Sequence, residues 1–429
     1  MKARSKSQAG ARAGRVIALA AVLCCALAAP AHAAIGVRNA SVNQTNATGG
    51  ATFSLPVPAG TASGDVMIAT LNTGAGIVTL TPPAGWTAIT NTTPNWSATA
   101  KSLTYYRVAG AGEPANYTWN WGAGATVAAA GDIVSYTGVS NTYPVAGSQA
   151  TTSAAVGSIA TPTVSTLAAN SWVIANASWR RNAGVTAPAV AKDVATSQRA
   201  TTVTTGGPQW VGVMTTDVSQ ATAGTSTART FTSAPTSQWT VQTIALTPSG
   251  GTLSFSTAPN LPNMPGLTLS GAAQTITAAM ANFAVDDETG SQSGWNVTVN
   301  GDSGGGKSAV FARYCPNAGG CGADALGYPG GGASLGASSL TLSTSGATIT
   351  GGVGTAPTFQ CTGSACALDV ASGSPAKVLS AASAGAAATW TTASFGASSL
   401  SLSAPTTVRV LPASEVYRID LLWTLGTGP

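Results

Sequence analysis

Val-Tyr-Arg-Ile-Asp-Leu-Leu-Trp-Thr-Leu, residues 416–425, is the stretch that decides how this chain is interpreted. Successive side chains of a β-strand point to opposite faces. One face of this strand is therefore formed by Tyr417, Ile419, Leu421, Trp423 and Leu425. The other face is mainly polar. This alternation predicts a half-buried strand whose apolar face belongs to a core, with a binding surface on part of that face as the alternative.

The first 33 residues have the three parts of a secretory signal peptide. A basic leader precedes an apolar run at 16–29, and Ala31-His32-Ala33 forms a small-residue cleavage box. The leader holds five of the 18 basic residues and none of the 13 acidic ones. The exported chain is therefore expected to be extracellular and without net charge, and nucleic acid is not expected as a partner.

Catalytic chemistry has few candidate groups in the exported chain. The single histidine, His32, lies in the leader, which excludes a Ser-His-Asp triad and a histidine-ligated zinc. The densest carboxylate group is Asp286, Asp287 and Glu288, and neighbours on a turn splay apart. A glycosidase instead needs two facing carboxyl groups roughly 5–10 Å apart. We expect no enzyme, no catalytic residue and no cofactor; a carboxylate-only glycosidase or a calcium ion on the turn are the alternatives.

The exported chain keeps four cysteines, Cys315, Cys321, Cys361 and Cys366. An even number in an exported chain predicts disulfides, with three possible pairings. The local pairs Cys315 with Cys321 and Cys361 with Cys366 are favoured because each closes a short loop. A zinc site made by all four is the alternative, although the first gap is wider than usual ligand spacing. We therefore expect two disulfides and no metal site.

Short alternating runs separated by Gly, Pro and Asn predict an all-β fold. A Pro and a Gly pair in the linker at 247–252 break any strand that crosses it. We predict a signal peptide at 1–33 and two β-sandwich-like domains in tandem, at 34–248 and 249–429. No apolar stretch after the leader is long enough to span a bilayer.

The N-terminal domain contains a weak internal sequence repeat. Residues 64–71 and 131–136 are predicted strands with two apolar faces, which favours central positions in a sheet. Residues 170–177 and 239–246 repeat their patterns, which suggests a sandwich built by partial internal duplication. The domain resembles a β-sandwich module of bacterial exported proteins, and this resemblance implies an adhesin-like surface domain.

The densest aromatic row of the chain is Tyr117, Trp119 and Trp121. Their spacing places all three on one face of a strand. Exposed, such a row stacks on sugar rings; in a sandwich it is more often core, which is the favoured interpretation.

A second Trp ridge, Gly294-Trp295-Asn296-Val297-Thr298-Val299, follows the acidic turn of the C-terminal domain. Together with the ridge at 416–425 it resembles the WxL domain of bacterial surface proteins. Trp423 and Leu425 match the distal motif and Trp295 the proximal one, where Val297 stands in place of Leu. The resemblance implies non-covalent attachment to peptidoglycan.

These observations predict a secreted, non-enzymatic protein of the cell surface. Its C-terminal domain is expected to associate with peptidoglycan or another cell-wall polymer, and its N-terminal domain to serve adhesion or other surface proteins. The alternatives are an extracellular carbohydrate-binding or carbohydrate-active protein that uses the row at 117–121, and a structural subunit of a surface layer whose strand edges pair with neighbours.

Overall fold

The computed structural model describes residues 33–45, 51–74, 80–122, 128–182, 186–204, 209–317, 321–322, 326–329, 333–370, 374–383 and 385–429. The predicted signal peptide, up to residue 32, lies outside the described residues. Within them the chain forms antiparallel strands and one short 3-10 turn, Gly304–Gly306, and no α-helix. The all-β prediction is confirmed.

Fifteen strands precede the linker in the described part of the chain. They are β1 (Gly36–Thr45), β2 (Thr52–Pro56), β3 (Val66–Thr73), β4 (Thr87–Thr92), β5 (Ser102–Val108), β6 (Asn116–Asn120), β7 (Ala129–Thr137), β8 (Val145–Ala160), β9 (Ser165–Thr166), β10 (Ser171–Asn182), β11 (Ala189–Ala191), β12 (Ser197–Val203), β13 (Gln209–Gln220), β14 (Gly224–Thr225) and β15 (Thr230–Leu246).

The described residues after the linker form shorter strands. They are β16 (Leu253–Thr257), β17 (Gln274–Ala278), β18 (Ala284–Asp287), β19 (Trp295–Gly301), β20 (Ala312–Tyr314), β21 (Leu340–Leu342), β22 (Thr348–Val353), β23 (Thr358–Phe359), β24 (Cys366–Ala367), β25 (Ala376–Ala381), β26 (Ala387–Ala393), β27 (Leu400–Ala404), β28 (Val416–Arg418) and β29 (Leu421–Thr427).

The region before the linker contains two halves with the same strand topology. The first half has the sheet order β1-β7-β3-β5-β4, with β2 paired to β6. The second has the order β8-β15-β10-β13-β12, with β9 paired to β14, and β11 also pairs with β15. The predicted central strands β3 and β10 occupy equivalent places, as do β7 and β15. This matched topology supports the internal duplication suggested by the sequence.

The two large sheets face each other across a shared core. Ile68 and Val134 of the first sheet belong to one cluster with Ile174 and Ile244 of the second, and all four are fully buried. The outer face of each sheet has its own cluster, with Trp119 in the first half and Trp239 in the second. The duplicated region is therefore layered, with apolar side chains on both faces of its central strands.

A row of buried polar side chains crosses the layer between these sheets. In the first half the row is Thr104 on β5, Thr70 on β3 and Asp132 on β7. At the equivalent places of the second half it is Thr215 on β13, Asn176 on β10 and Gln242 on β15. All six are buried.

Hydrogen bonds join the two rows in a pseudo-twofold pattern. Thr104 donates to Gln242, and Thr215, which is the equivalent of Thr104, donates to Asp132 at 2.9 Å. Between these bonds the amide of Asn176 donates to Thr70 at 2.8 Å. The same hydrogen bond is therefore made twice, once from each half to the other, which agrees with an internal duplication. The residue types differ between the halves, so the sequence alone does not reveal this pattern.

The region after the linker has its own core. Its strands form the sheets β16-β18-β26-β22, β17-β27-β21-β24, β23-β25-β19-β29 and β20-β28. These sheets enclose one large cluster. In the described residues, each sheet takes its strands from one side of the linker only. The strand β15 ends at Leu246 and β16 begins at Leu253, so the predicted linker at 247–252 lies between two strands.

Two segments of this region are not continuous strands. Residues 407–410 form no strand: Pro405 and Pro412 flank them, Val408 closes a turn by donating its N–H to the Pro405 carbonyl at 3.0 Å, and Val410 is 81% exposed. The stretch 416–425 is divided into β28 and β29 at Asp420, whose backbone and carboxylate bond to the 302–308 loop and to Tyr328 instead. The predicted alternation of its side chains is otherwise retained.

Candidate functional site

The two tryptophan ridges lie on neighbouring strands of one sheet. Strand β19 pairs with β29 in antiparallel register, which sets Val297 opposite Leu425 and Val299 opposite Trp423. Residues directly opposite each other in an antiparallel pair have side chains on the same face. The two motifs that the sequence places more than a hundred residues apart therefore form one continuous apolar surface.

That surface belongs mainly to the core. Trp295 and Val297 are fully buried, and Trp423 and Leu425 are half-buried and pack against the same cluster. The ring of Trp423 lies 6.0 Å from that of Phe283, centroid to centroid. The motif residues therefore hold the domain together, and Trp295 has no exposed ring face with which to contact a ligand.

A large groove is lined in part by β28, the strand that precedes β29 in the chain. It has a volume of about 1260 Å³ and is lined by residues 261–269, by 408–411, by β28 and by the core side chains Phe311, Leu335, Leu340 and Leu402. Two prolines, Pro262 and Pro265, keep the first of these segments out of any sheet, as the sequence predicts. An apolar floor with an accessible opening is the usual character of a binding cleft.

The rim of the groove combines exposed apolar side chains with charges. Val410 is 81% exposed and Val416 is 48% exposed. Arg409 is exposed, and within the described residues no carboxylate lies at ion-pair distance from its guanidinium. The hydroxyl of Tyr417 donates to the Arg409 carbonyl at 3.1 Å, which fixes this ring beside the arginine. Arg409 is therefore available to an anionic group bound in the groove.

A buried ion pair stiffens one wall. Glu415 accepts hydrogen bonds from the guanidinium of Arg313, and its side chain is 2% exposed. The bonds from Arg313 lower the pKa of Glu415 below its ordinary value, against the opposing effect of burial. Because Arg313 lies on β20 and Glu415 directly precedes β28, the pair fixes the loop 409–415 to the sheet β20-β28.

A second charged cluster adjoins β28. The Arg418 guanidinium lies 4.5 Å from the centroid of the Tyr314 ring and donates to Asp420 at 2.9 Å. The Tyr328 hydroxyl also donates to Asp420, at 2.6 Å, and burial together with this bond raises the pKa of Tyr328. These groups satisfy one another, whereas Arg409 is in no ion pair among the described residues.

The aromatic row of the N-terminal region is core. Tyr117 is 6% exposed, Trp119 is fully buried and Trp121 is 1% exposed. The rings pack against Trp86 and Phe53, with Trp86 in an edge contact to Tyr117 at 5.1 Å. The core interpretation agrees with this burial. Phe53 stacks on Trp121, and Trp86 contacts both Tyr117 and Trp119, so neighbouring side chains cover these rings.

The two aspartates of the acidic turn accept hydrogen bonds from different segments. Asp287 is buried and accepts hydrogen bonds from the backbone N–H and the hydroxyl of Thr289, at 3.1 and 2.7 Å. Burial raises the pKa of Asp287, and the bonds from Thr289 oppose it. Asp286 instead accepts a bond from Thr389 at 3.0 Å. The two aspartates therefore serve the turn and the neighbouring strand β26 separately.

Two disulfides join the cysteines in the predicted local pairs, Cys315–Cys321 and Cys361–Cys366. The four-cysteine zinc alternative is thereby wrong for this structure. Among the described residues, no three His, Cys, Asp or Glu side chains are grouped to hold a metal ion. No helix in the same residues has the length and hydrophobicity needed to cross a bilayer.

Comparison with known proteins found no matching family profile, no matching curated protein and no matching solved structure.

Proposed function

We propose that this chain is an exported, non-enzymatic surface protein whose C-terminal module, residues 249–429, associates non-covalently with the peptidoglycan of the cell wall. The N-terminal module, residues 34–248, then serves as the adhesion or interaction domain. The observation that carries this proposal is the groove beside β28, which adjoins the paired tryptophan strands and keeps an uncompensated arginine at its rim. The two disulfides agree with an oxidising, extracellular location.

The groove, rather than the tryptophan ridge, is the contact surface in this proposal. Its apolar floor and the Tyr417 ring suit the apolar faces of sugar rings, because stacking on an aromatic side chain desolvates both partners. Arg409 suits a carboxylate, which peptidoglycan carries on its peptide stems, since a guanidinium binds a carboxylate through two parallel hydrogen bonds. Trp295 and Trp423 contribute by holding β19 and β29 in register behind the groove.

The test is co-sedimentation of the exported chain, residues 34–429, with purified insoluble cell walls. The wild type is expected in the pellet, and V410D, which places a carboxylate on the rim, is expected to shift to the supernatant. R409A is expected to weaken binding by about tenfold, which corresponds to the loss of one exposed charge-assisted contact.

A matched control is V194D, because Val194 is also a highly exposed valine, at 97%, and lies in the N-terminal module. V194D is expected to bind as the wild type does. Recovery of the wild type only in the supernatant would exclude wall binding. Equal binding of V410D and the wild type would place the contact outside the groove.

A further inference from the structure

One long sheet edge of the N-terminal module is left open. Strand β8 runs for 16 residues, and among the described residues only β15 pairs with it, along one side. The chain has no Asp, Glu, Lys or Arg between Asp132 and Arg180, so β8 and its flanking segments carry no charge. Natural proteins usually protect such edges with charges, prolines or short strands, because unpaired backbone groups recruit another strand.

The duplication supplies an internal comparison. Strand β1 holds the equivalent edge position in the first half, and it is protected. Arg38 lies within it, and a register shift interrupts its ladder between Val37 and Asn39. Side chains of Asn39 and Asn43 donate to backbone carbonyls of the 54–59 segment, at 3.2 and 2.7 Å, and so tie that segment to the strand. Strand β8 carries no charge, although register shifts also interrupt its ladder with β15. In the described structure the hydroxyl of Thr152 donates to the side chain of Asn95 at 3.0 Å, and Gln292 donates to the Ala146 carbonyl at 3.3 Å. No strand pairs along the second edge of β8 among the described residues.

The chemistry of β8 favours pairing with itself. When a strand pairs with its own copy in antiparallel orientation, each side chain lies opposite a side chain of the same strand in the second copy. A charged residue near the twofold axis would therefore lie close to the identical charge of the other copy. The sequence Gln149-Ala-Thr-Thr-Ser-Ala-Ala-Val-Gly-Ser158 avoids this because it is uncharged, and its small side chains allow close approach. Opposed threonines and serines stabilise such pairs through cross-strand hydrogen bonds.

We propose that β8 is a self-association edge, at which two copies of this chain pair β8 with β8 in antiparallel orientation about a twofold axis. The pairing joins two second-half sheets into one continuous sheet across the dimer. Because a twofold contact of this kind closes on itself, the expected product is a dimer and not an open fibre. The proposal does not depend on wall binding, and no cell wall is needed to test it.

Sedimentation equilibrium of the exported chain, residues 34–429, measures the association directly. We expect a concentration-dependent dimer, and we expect T151K and A155K to weaken it by at least about tenfold each, since each sets two like charges close together in the pair. Both positions are exposed in the monomer, so the substitutions do not need to disturb the core. The matched control is V42K on the protected edge β1, where the valine is 43% exposed; it is expected to leave the dimer unchanged.

Cysteine scanning provides a second measurement that does not rely on lysine variants. The cysteines of the exported chain are already paired, so a cysteine introduced at one position from 149 to 158 is a single free thiol. In a twofold antiparallel pair only residues near the axis meet their own copy, so dimer formation under mild oxidation should peak at one position and fall on both sides. A wild type that remains monomeric at about 100 µM, weaker than typical specific interfaces, overturns the proposal. A dimer that T151K and A155K leave intact, or a scan without a peak, also overturns it.

Discussion

The carboxyl group of Asp132 should control how the stability of the N-terminal module depends on pH. It is fully buried between the two large sheets, and the Thr215 hydroxyl at 2.9 Å from both carboxylate oxygens is its hydrogen-bond donor. Burial raises the pKa of Asp132 from 3.8 to about 7, and the bond from Thr215 opposes this rise. In the facing sheet the charged side chains of Asp217 and Arg199 pair with each other at 2.8 Å.

The sign and size of the effect follow from proton linkage. Below about pH 4 both the folded and the unfolded chain hold the proton, and Asp132 contributes nothing. Between about pH 4 and pH 7 the unfolded chain releases the proton first, so the folded state loses stability as the pH rises. Above about pH 7 the loss is complete. A pKa difference of about three units corresponds to about 4 kcal/mol, and the denatured-state reference makes this an upper value.

The substitution D132N removes this ionisation and keeps the shape of the side chain. Gln242, which is neutral, already occupies the equivalent place in the second half, so the layer accommodates an amide. We expect D132N to match the wild type near pH 4 and to exceed its free energy of unfolding by about 2–4 kcal/mol near pH 8. Part of the gain is lost if the added amide N–H remains without an acceptor.

The assay is chemical denaturation across that pH range, with hydrogen exchange of peptides from β3 and β7 to report on the N-terminal module alone. The reciprocal variant Q242E puts a carboxylate at the equivalent position and is expected to lose stability above neutral pH and little below pH 4, on the same linkage argument. A difference between D132N and the wild type that does not change with pH would refute the reasoning. So would a wild type that is the more stable of the two at about pH 8.

Three further predictions concern the C-terminal module. W295A should cost about 3–5 kcal/mol in the free energy of unfolding, because the ring is fully buried, whereas the same change at the half-buried tryptophan of β29 should cost less; denaturant titration compares the two. Replacing Cys361 and Cys366 together with serine should cost roughly 2 kcal/mol, as expected for opening a short loop, and denaturant titration of this variant beside the wild type under non-reducing conditions checks it. R313L should destabilise the protein at neutral pH by leaving Glu415 buried without its partner. Because Arg313 lowers the pKa of Glu415 below 4.5, this penalty should shrink as the pH falls through the lowered value, which unfolding curves at several acidic pH values measure.

The sequence predicts strands well where apolar side chains recur along them. The two-faced segments at 64–71 and 131–136 are central strands, as predicted, because apolar residues on both faces require cover on both sides. Strands β8 and β12 were missed, since Ala, Ser, Thr and Gly give no alternation to detect. Pairing decides their conformation: β8 pairs with β15, far along the chain, and β12 pairs with the next strand, β13.

The candidate site was harder to predict than the fold. The motif residue Trp423 was identified, and its neighbour across the sheet, Val299, follows only from the register of β19 and β29. The groove was missed because its lining comes from segments that are separate in the sequence, among them residues 261–269 and 408–411. Val410 on the rim is 81% exposed, and the apolar character of a residue does not by itself reveal whether that residue is buried.

The polar row between the duplicated sheets explains why the two halves meet in one alignment. The apolar pairs such as Ile68 with Ile174 supply most of the favourable burial, but an apolar contact is non-directional and tolerates a shift of one sheet over the other. A shift would separate Thr215 from Asp132 and Thr104 from Gln242, and each separation would leave a buried polar group without its partner, at a cost of about 1–3 kcal/mol. The row therefore penalises the misaligned states more than it stabilises the aligned one. This selection of one alignment depends on hydrogen bonds and not on the charge of Asp132. We therefore expect the D132N variant to keep the alignment of the two sheets. The same variant should lose the part of the pH dependence of stability that comes from the ionisation of Asp132.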